Sequence, residues 1–137
     1  DTAFVMTNLL RGIIQNGTGG AANSLDWPLA GKTGTVDDST DAWFIGFDPN
    51  ITVGVWVGYD EKKPIGGRNN GETGASAALP IWMDFMRAHI DAHGDRAHPP
   101  PFEAPGNIVF VALDSGITEA FINGTQPQTT YPDAASP

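Results

Sequence analysis

Three apolar segments separated by short polar turns constrain the fold of this chain more than any other feature. The segments span residues 29–36, 42–47 and 51–59. Because connections this short join antiparallel neighbours, the pattern predicts a three-stranded antiparallel meander. The many Val, Ile, Trp and Phe residues of the last two segments predict that those two strands are buried on both faces.

Two amphipathic helices are predicted on either side of the strands. Residues 4–14 carry apolar side chains at the 3.6-residue period, with Thr2 as the predicted N-cap and Asn16-Gly17 as a left-handed stop. Residues 75–93 carry a second apolar stripe, in which Pro80 marks either the first turn or a kink. The fold class is therefore α+β, an antiparallel three-stranded meander flanked by two helices.

Four tryptophans are assigned to two environments. We expect Trp43, Trp56 and Trp82 to form the core between the sheet and the second helix, and Trp27 to lie at the surface or at the rim of a cleft. A three-stranded sheet is small for so much apolar sequence, and its third strand would leave a long apolar edge. The chain also lacks an initiator Met, so we expect it to be a fragment whose parent supplies further strands and helices.

The domain organisation follows from shifts in composition. Residues 1–94 are predicted to form the main folded portion, 95–107 a stiff Pro-rich linker, 108–124 a short C-terminal extension with one strand, and 125–137 a disordered tail. The longest apolar run, residues 108–113, is far shorter than the ~20 residues of a membrane-spanning helix. We expect any membrane anchor to lie in the missing N-terminal part of the parent.

The composition disfavours several classes of function. Sixteen acidic residues against seven basic ones give a net charge of −9, which argues against a nucleic-acid-binding face and against a surface for anionic lipids. The sequence has no cysteine, so disulfides, zinc–thiolate sites and cysteine nucleophiles are excluded. No cofactor is expected.

The stretch Lys32-Thr33-Gly34-Thr35 is the main candidate for chemistry. On a strand, Thr33 and Thr35 point to the same face, so their hydroxyls form a pair of donors suited to a carboxylate. Lys32 adds a flexible cation that can reach round the strand edge and attract an anionic substrate. Gly34 removes a side chain where a ligand approaches the backbone, and a free strand edge can pair with an extended peptide. The stretch predicts a docking site for a peptide that ends in a carboxylate.

Two other interpretations of this stretch remain open. Gly31-Lys32-Thr33 could end a phosphate-binding P-loop, although that pattern requires Gly where Asp26 stands and a helix after Thr33. The stretch could also be a plain polar edge strand. A non-catalytic interaction module, whose exposed sheet edge recruits another strand or protein, is the second class of function that the sequence supports.

A metal site is geometrically possible on the second helix but is not predicted. His89 and His93 are four residues apart, and His98 follows them. The zinc-protease order H-E-x-x-H is absent because Ile90 follows His89. Histidines at a helix end commonly interact with the helix dipole or with water.

Six sequence blocks occur in one characteristic order. They are residues 4–19, L-A-G-K-T-G-T at 29–35, D-A-W-F-I-G at 41–46, V-W-V-G-Y-D at 55–60, T-G-A-S-A-A-L-P-I-W at 73–82 and E-A-F-I-N-G-T-Q-P at 119–127. This ordered set resembles the transpeptidase domain of bifunctional class A penicillin-binding proteins, in particular the 1A type of Gram-negative bacteria. The resemblance implies that the chain is an incomplete, C-terminal piece of the serine β-lactamase/penicillin-binding transpeptidase fold.

The resemblance also implies roles for the central stretch. The family motif K-[ST]-G corresponds to Lys32-Thr33-Gly34, so Lys32 would support catalysis electrostatically and Gly34 would belong to the substrate-binding strand. Thr33 and Thr35 would hold the terminal carboxylate of a D-alanyl-D-alanine stem peptide or of a β-lactam. The backbone N–H of Thr35 would be one of two oxyanion-hole donors.

The two other motifs of the family are absent from the sequence. None of Lys32, Lys62 and Lys63 follows a serine by three positions, and no Ser-x-Asn occurs. The chain alone is therefore expected to be inactive. The parent is expected to be a serine-type D,D-transpeptidase that cross-links peptidoglycan through an acyl-serine intermediate, with a glycosyltransferase domain upstream.

Partners and location follow from the same resemblance. The expected partners are peptidoglycan stem peptides, β-lactams and the remainder of the transpeptidase domain. The expected location is the periplasmic face of the bacterial inner membrane. As a β-lactam target in cell-wall synthesis, the parent protein is expected to influence cell shape and resistance to antibiotics.

Overall fold

A computed structural model of the chain describes residues 1–35, 37–66, 72–113 and 115–127, without the side chain at position 37. Its elements are helix α1 (Thr2–Asn16), a 3-10 helix (Gly20–Leu25), strand β1 (Ala30–Thr35), a 3-10 turn (Asp37–Ser39), strands β2 (Asp41–Phe47) and β3 (Thr52–Gly58), a π-helical turn (Gly74–Ala78), helix α2 (Leu79–His93), and strands β4 (Ile108–Ala112) and β5 (Thr118–Ile122). Residues 128–137 of the predicted tail lie outside the described residues.

The first three strands form the predicted antiparallel meander, in the order β1-β2-β3. Thr33 pairs with Phe44, which in turn pairs with Val55, so these three side chains share one face of the sheet. Gly34, Trp43 and Trp56 are paired in the same way on the opposite face. We call the face of Phe44 the covered face and the face of Trp43 the open face.

Helix α2 covers the Phe44 side of the sheet. Phe44 and Trp82 are both 0% exposed, and their ring centroids lie 4.9 Å apart. The indole Nε1 of Trp82 donates a hydrogen bond to the carbonyl oxygen of Val53 at 3.1 Å, which fixes the helix on the sheet. The predicted helix stripe forms the rest of this core, with Leu79, Met86 and Ile90 fully buried and Met83 partly so.

The open face contradicts the prediction that β2 and β3 are buried on both sides. Trp43, Ile45 and Trp56 are 41%, 50% and 45% exposed, so the two tryptophans do not belong to the core. Their ring centroids are 6.3 Å apart, and Trp56 Nε1 donates to a carboxylate oxygen of Asp41 at 2.8 Å. The prediction was wrong because residues 42–47 of β2 include no polar side chain. Such a run does not show which face of the strand is covered.

The two helix ends differ in detail from the prediction. Thr2 is already the first residue of α1, and Gly17 has an extended backbone with φ of −118° in place of the expected left-handed stop. Helix α2 is preceded by the π-helical turn, whose N-cap Thr73 exchanges hydrogen bonds with Ser76 in a capping box. Pro80 lies in the first turn of α2 and makes no kink in its middle.

The C-terminal extension contains a second strand that the sequence did not reveal. Strands β4 and β5 pair as an antiparallel hairpin. The hairpin lies against α1, where Phe4 and Phe110 meet edge to face with centroids 6.1 Å apart and Asn8 donates to Glu119 at 3.0 Å. Neither α1 nor α2 is long and apolar enough to cross a membrane, and the other described segments form no such helix.

The Pro-rich segment before this hairpin runs along the body of the molecule. Phe102 lies edge to face with Phe47, at a centroid distance of 5.8 Å, and the guanidinium of Arg11 lies 5.8 Å from the centre of its ring. Earlier in the sequence of the same segment, Arg96 donates a hydrogen bond to the carbonyl oxygen of Leu25 at 3.0 Å. The segment is therefore held by contacts to α1, to the 3-10 helix and to β2.

Candidate active site

Strand β1 carries the candidate site at an edge of the meander. Within the described residues, β1 pairs with β2 alone, so no second strand is hydrogen-bonded to its other side. The register places Thr33 and Thr35 on the covered face and Lys32 and Gly34 on the open face. The site therefore straddles the edge and presents hydroxyls on one side of the strand and a cation on the other.

Each threonine hydroxyl of β1 contacts a different neighbouring element. Thr33 Oγ1 lies 3.0 Å from Thr18 Oγ1, in the loop that follows α1. Thr35 Oγ1 accepts a hydrogen bond from the backbone N–H of Gly74 at 3.2 Å, at the start of the π-helical turn. Thr33 is half-buried and Thr35 is exposed. The two hydroxyls of the predicted pair are thus held by two segments that are distant in sequence.

Lys32 reaches the strand edge from the open face. Its side chain is exposed, and Nζ donates to the carbonyl oxygen of Thr33 at 2.8 Å. This contact brings the ammonium group back toward the two threonines although Lys32 projects from the opposite face. A single carbonyl contact leaves the other two N–H donors of the ammonium group for a ligand or a neighbouring side chain.

Gly34 lies in a crowded part of the sheet. A Cβ at Gly34 would come 3.2 Å from the Cβ of Trp43, and one at Gly74 would come 2.8 Å from the carbonyl oxygen of Gly34. The backbone of the π-helical turn therefore lies directly against the backbone of β1. The absence of a Cβ on Gly74 is what allows its backbone N–H to reach Thr35.

Thr18 and Gly74 are residues of the site that sequence reasoning missed. Both lie inside blocks that carried the family resemblance, residues 4–19 and 73–82. Their positions beside β1 depend on how the chain returns to the strand, which no local pattern encodes. The blocks were the signal available, but they did not identify which residue in each block contacts the strand.

The P-loop interpretation is wrong. Lys32 and Thr33 lie inside β1, and the chain then enters the short 3-10 turn Asp37–Ser39 where a P-loop requires a long helix. Without that helix, no N-terminal set of backbone N–H groups faces the lysine to bind phosphates.

His89 and His93, in the C-terminal half of α2, line a cleft of about 350 Å³ together with Trp27, which was predicted to lie at the surface or at a cleft rim. The rings of His89 and His93 are 5.1 Å apart. His98 instead contacts Asp95 at 2.9 Å, and this hydrogen bond lowers the pKa of the Asp95 carboxyl. In the described ranges, no group of three or more acidic or histidine side chains is arranged to hold a metal ion.

The fold and the edge site define a class of protein. The structure superimposes on a 2.6 Å crystal structure of penicillin-binding protein 1A from Haemophilus influenzae with a TM-score of 0.79 and 29% sequence identity. The match covers 94% of this chain and 21% of that one. The α+β arrangement is thus that of part of a penicillin-binding protein.

Curated relatives narrow the class further. The chain is 39% identical over 140 residues to penicillin-binding protein 1A of Aquifex aeolicus, covering 94% of this chain and 18% of that protein. It is 43% identical over 123 residues to the Rickettsia prowazekii protein of the same name (89% and 15%) and 45% identical over 86 residues to that of Pseudomonas aeruginosa (62% and 10%). The chain therefore belongs to the penicillin-binding protein 1A family.

The match is to a part of each relative. The chain spans less than a fifth of the length of these curated relatives. No protein-family model matches it.

Proposed function

We propose that the longer protein containing this chain is a peptidoglycan D,D-transpeptidase, and that this chain supplies its substrate-binding strand. The observation that carries the proposal is the edge strand β1, which presents two threonine hydroxyls and an ammonium group on the side where no second described strand pairs with it. Membership of the penicillin-binding protein 1A family supports it, because the relatives are named for the binding of penicillin.

The proposed binding mode follows from hydrogen-bond chemistry. A carboxylate accepts hydrogen bonds but donates none, so it requires O–H or N–H groups that point toward it. Because the N–H of Gly74 donates to Thr35 Oγ1, the single hydroxyl hydrogen of Thr35 is left to donate to a ligand. Lys32 adds positive charge near the same edge, and the free side of β1 can pair with the backbone of an extended stem peptide.

In this proposal, the group that attacks the substrate comes from outside the chain. A serine of the longer protein attacks the carbonyl carbon of the penultimate D-alanine, the terminal D-alanine leaves, and an amine of a second stem peptide then takes the acyl group from the serine. The backbone N–H of Thr35 is proposed as one donor to the oxyanion that forms at that carbonyl. Lys32 is proposed to stabilise the proton transfer electrostatically.

The open face indicates where the remainder of the domain would lie. Trp43, Ile45 and Trp56 form an apolar surface next to Lys32, on the side of the sheet that α2 does not cover. We propose that the remaining part of the transpeptidase domain covers this surface and brings the nucleophile to the edge of β1. The whole protein is further proposed to carry an upstream glycosyltransferase domain and to act at the periplasmic face of the inner membrane.

Acylation by a fluorescent penicillin tests the site in the longer protein. Thr33→Val keeps the shape of the side chain and removes its hydroxyl, so we expect the acylation rate constant to fall about 10- to 100-fold, the range for a hydrogen bond to a charged group. Lys32→Ala should lower it at least as much. The matched control is Thr52→Val, at the exposed start of β3. Unchanged acylation of Thr33→Val would reject the site.

The exposed apolar surface also favours the second candidate, a module that recruits another protein through its sheet. Light scattering of the isolated 137-residue chain at micromolar concentration tests whether the chain associates through its exposed surfaces. Association is expected if the open face and the strand edges are available. A stable monomer would indicate that the open face is stable in contact with water. It would weaken both the proposal that the remaining domain covers this face and the proposal that another protein binds it.

A further inference from the structure

We propose that Thr18 is a positioning residue of the carboxylate site: its hydroxyl donates to Thr33 and so directs the O–H of Thr33 toward the substrate. This inference rests on the proposed function, because it assumes that the ligand of β1 is an anion. Thr18 lies outside the K-T-G-T stretch, and it is assigned a role here through its contact alone.

The contact joins two segments that are fifteen residues apart. Thr18 Oγ1 lies 3.0 Å from Thr33 Oγ1, and either oxygen can act as the donor by distance and angle. Thr18 is exposed whereas Thr33 is half-buried, so the pair lies at the boundary between the loop and solvent. The direction of this bond decides whether the Thr33 hydrogen is available to a ligand.

The comparison with Thr35 indicates the direction. A hydroxyl has one hydrogen and two lone pairs, and a backbone N–H can only donate, so Gly74 leaves the hydrogen of Thr35 free. A carboxylate bound by both hydroxyls needs the same arrangement at Thr33, which requires Thr18 to be the donor. A bound anion favours this orientation, because a hydroxyl that already accepts a hydrogen bond is a stronger donor.

The loop that carries Thr18 is held in place by the end of α1. The backbone N–H groups of Gly17 and Gly19 both donate to the carbonyl oxygen of Ile13 at 3.1 Å. A Cβ at Gly19 would come 2.8 Å from Cδ1 of Ile14, so the loop is folded tightly back on the helix. Asn23 adds a side-chain hydrogen bond to the carbonyl oxygen of Ile14 at 2.8 Å. Thr18 therefore reaches Thr33 from a fixed support.

The test compares a penicillin with its methyl ester in the longer protein. Thr18→Val removes the hydroxyl at nearly constant shape, and we expect the second-order acylation constant for the free acid to fall about 3- to 10-fold, the range for one neutral hydrogen bond. The constant for the ester, which lacks the anionic carboxylate, should change less than twofold. Thr18→Ser restores the hydroxyl and should recover most of the rate with the acid.

Controls separate this role from loop packing and from the proposed function. Thr7→Val removes an exposed hydroxyl that donates within α1, and it should leave both constants unchanged. Unchanged acid acylation in Thr18→Val, an equal loss for acid and ester, or no recovery in Thr18→Ser would each overturn the positioning role. Thr18→Ala and a melting curve check that a loss is not a folding defect. Absence of acylation in the wild-type protein would instead contradict the proposed function itself.

Discussion

The two faces of the central sheet carry similar side chains in different environments. Phe44 and Trp43 are adjacent in β2, yet Phe44 is 0% exposed and Trp43 is 41% exposed. On the covered face, α2 supplies Trp82 as a partner for Phe44. On the open face, Trp43 has Trp56 as an aromatic neighbour, and α2 does not cover it. Apolar character alone therefore did not determine burial; the position of a single helix layer did.

The same difference divides the candidate site. Thr33 and Thr35 project from the covered face and are held by Thr18 and Gly74, so this half of the site is built by the chain itself. Lys32 projects from the open face, beside the surface that we propose the remaining domain covers. In the proposed site, one half is therefore held by contacts within the chain, and the other half borders the exposed apolar surface.

The largest expected effect is on the covered face. Phe44→Ala in the isolated chain should reduce the free energy of unfolding by about 3–5 kcal/mol, because it leaves a cavity under Trp82. Trp43→Ala should cost about 0.5–1.5 kcal/mol, the value of its exposed contact with Trp56. Urea unfolding of both variants measures the difference. Equal losses of unfolding free energy in the two variants would contradict the difference in burial between the covered and open faces.

Two glycines provide a matched test of intermediate size. A Cβ at Gly46 would come 2.6 Å from Cζ2 of Trp82 and 2.8 Å from Cε1 of Phe44, so Gly46→Ala should destabilise the chain by about 1–3 kcal/mol through overpacking. At Gly54 the nearest atom, Cγ1 of Ile45, would lie at an ordinary 3.8 Å.

The opposite sign is expected for the open-face glycine. Neither Gly46 nor Gly54 has the positive φ that disfavours alanine. Gly54→Ala should therefore stabilise the chain by about 0.4–1 kcal/mol, since it reduces the entropy of the unfolded state. Thermal melting of the two variants side by side checks the signs. A destabilised Gly54→Ala would mean that the open face is crowded.

The smallest effect on the isolated chain is expected at Ile45. Ile45 is 50% exposed, so Ile45→Thr, which keeps a β-branched residue in the strand, should change the free energy of unfolding by less than about 0.5 kcal/mol. It should also reduce self-association in light scattering. In the longer protein the same substitution should lower the melting temperature by several degrees if the face is covered there. No change in either protein would argue against a covered open face.

The sequence was sufficient for the two helices and the three strands of the meander, but not for the burial of the two faces of the sheet. Short turns predicted the meander, and the 3.6-residue stripe predicted the buried Trp82, because both signals are local. The environment of Trp43 was mispredicted because its strand is apolar on both sides. Strand β5 was missed because it is short and its pairing depends on β4 and on the support of α1.

Only those features of the candidate site that depend on local sequence were predicted. Alternation along a strand was enough to place Thr33 and Thr35 on one face. The hydrogen-bond partners of these hydroxyls, Thr18 and Gly74, come from loops whose paths are set by glycines packed against the backbone. Such contacts depend on tertiary structure, so no spacing in the sequence predicts them.

The most direct test of the central claim is a crystal structure of the longer protein acylated by benzylpenicillin. The account predicts that the carboxylate of the bound penicillin lies within hydrogen-bond distance of the hydroxyls of Thr33 and Thr35, with Lys32 at the same edge. A carboxylate bound elsewhere, with neither hydroxyl in contact, would contradict the assignment of β1 as the substrate-binding strand.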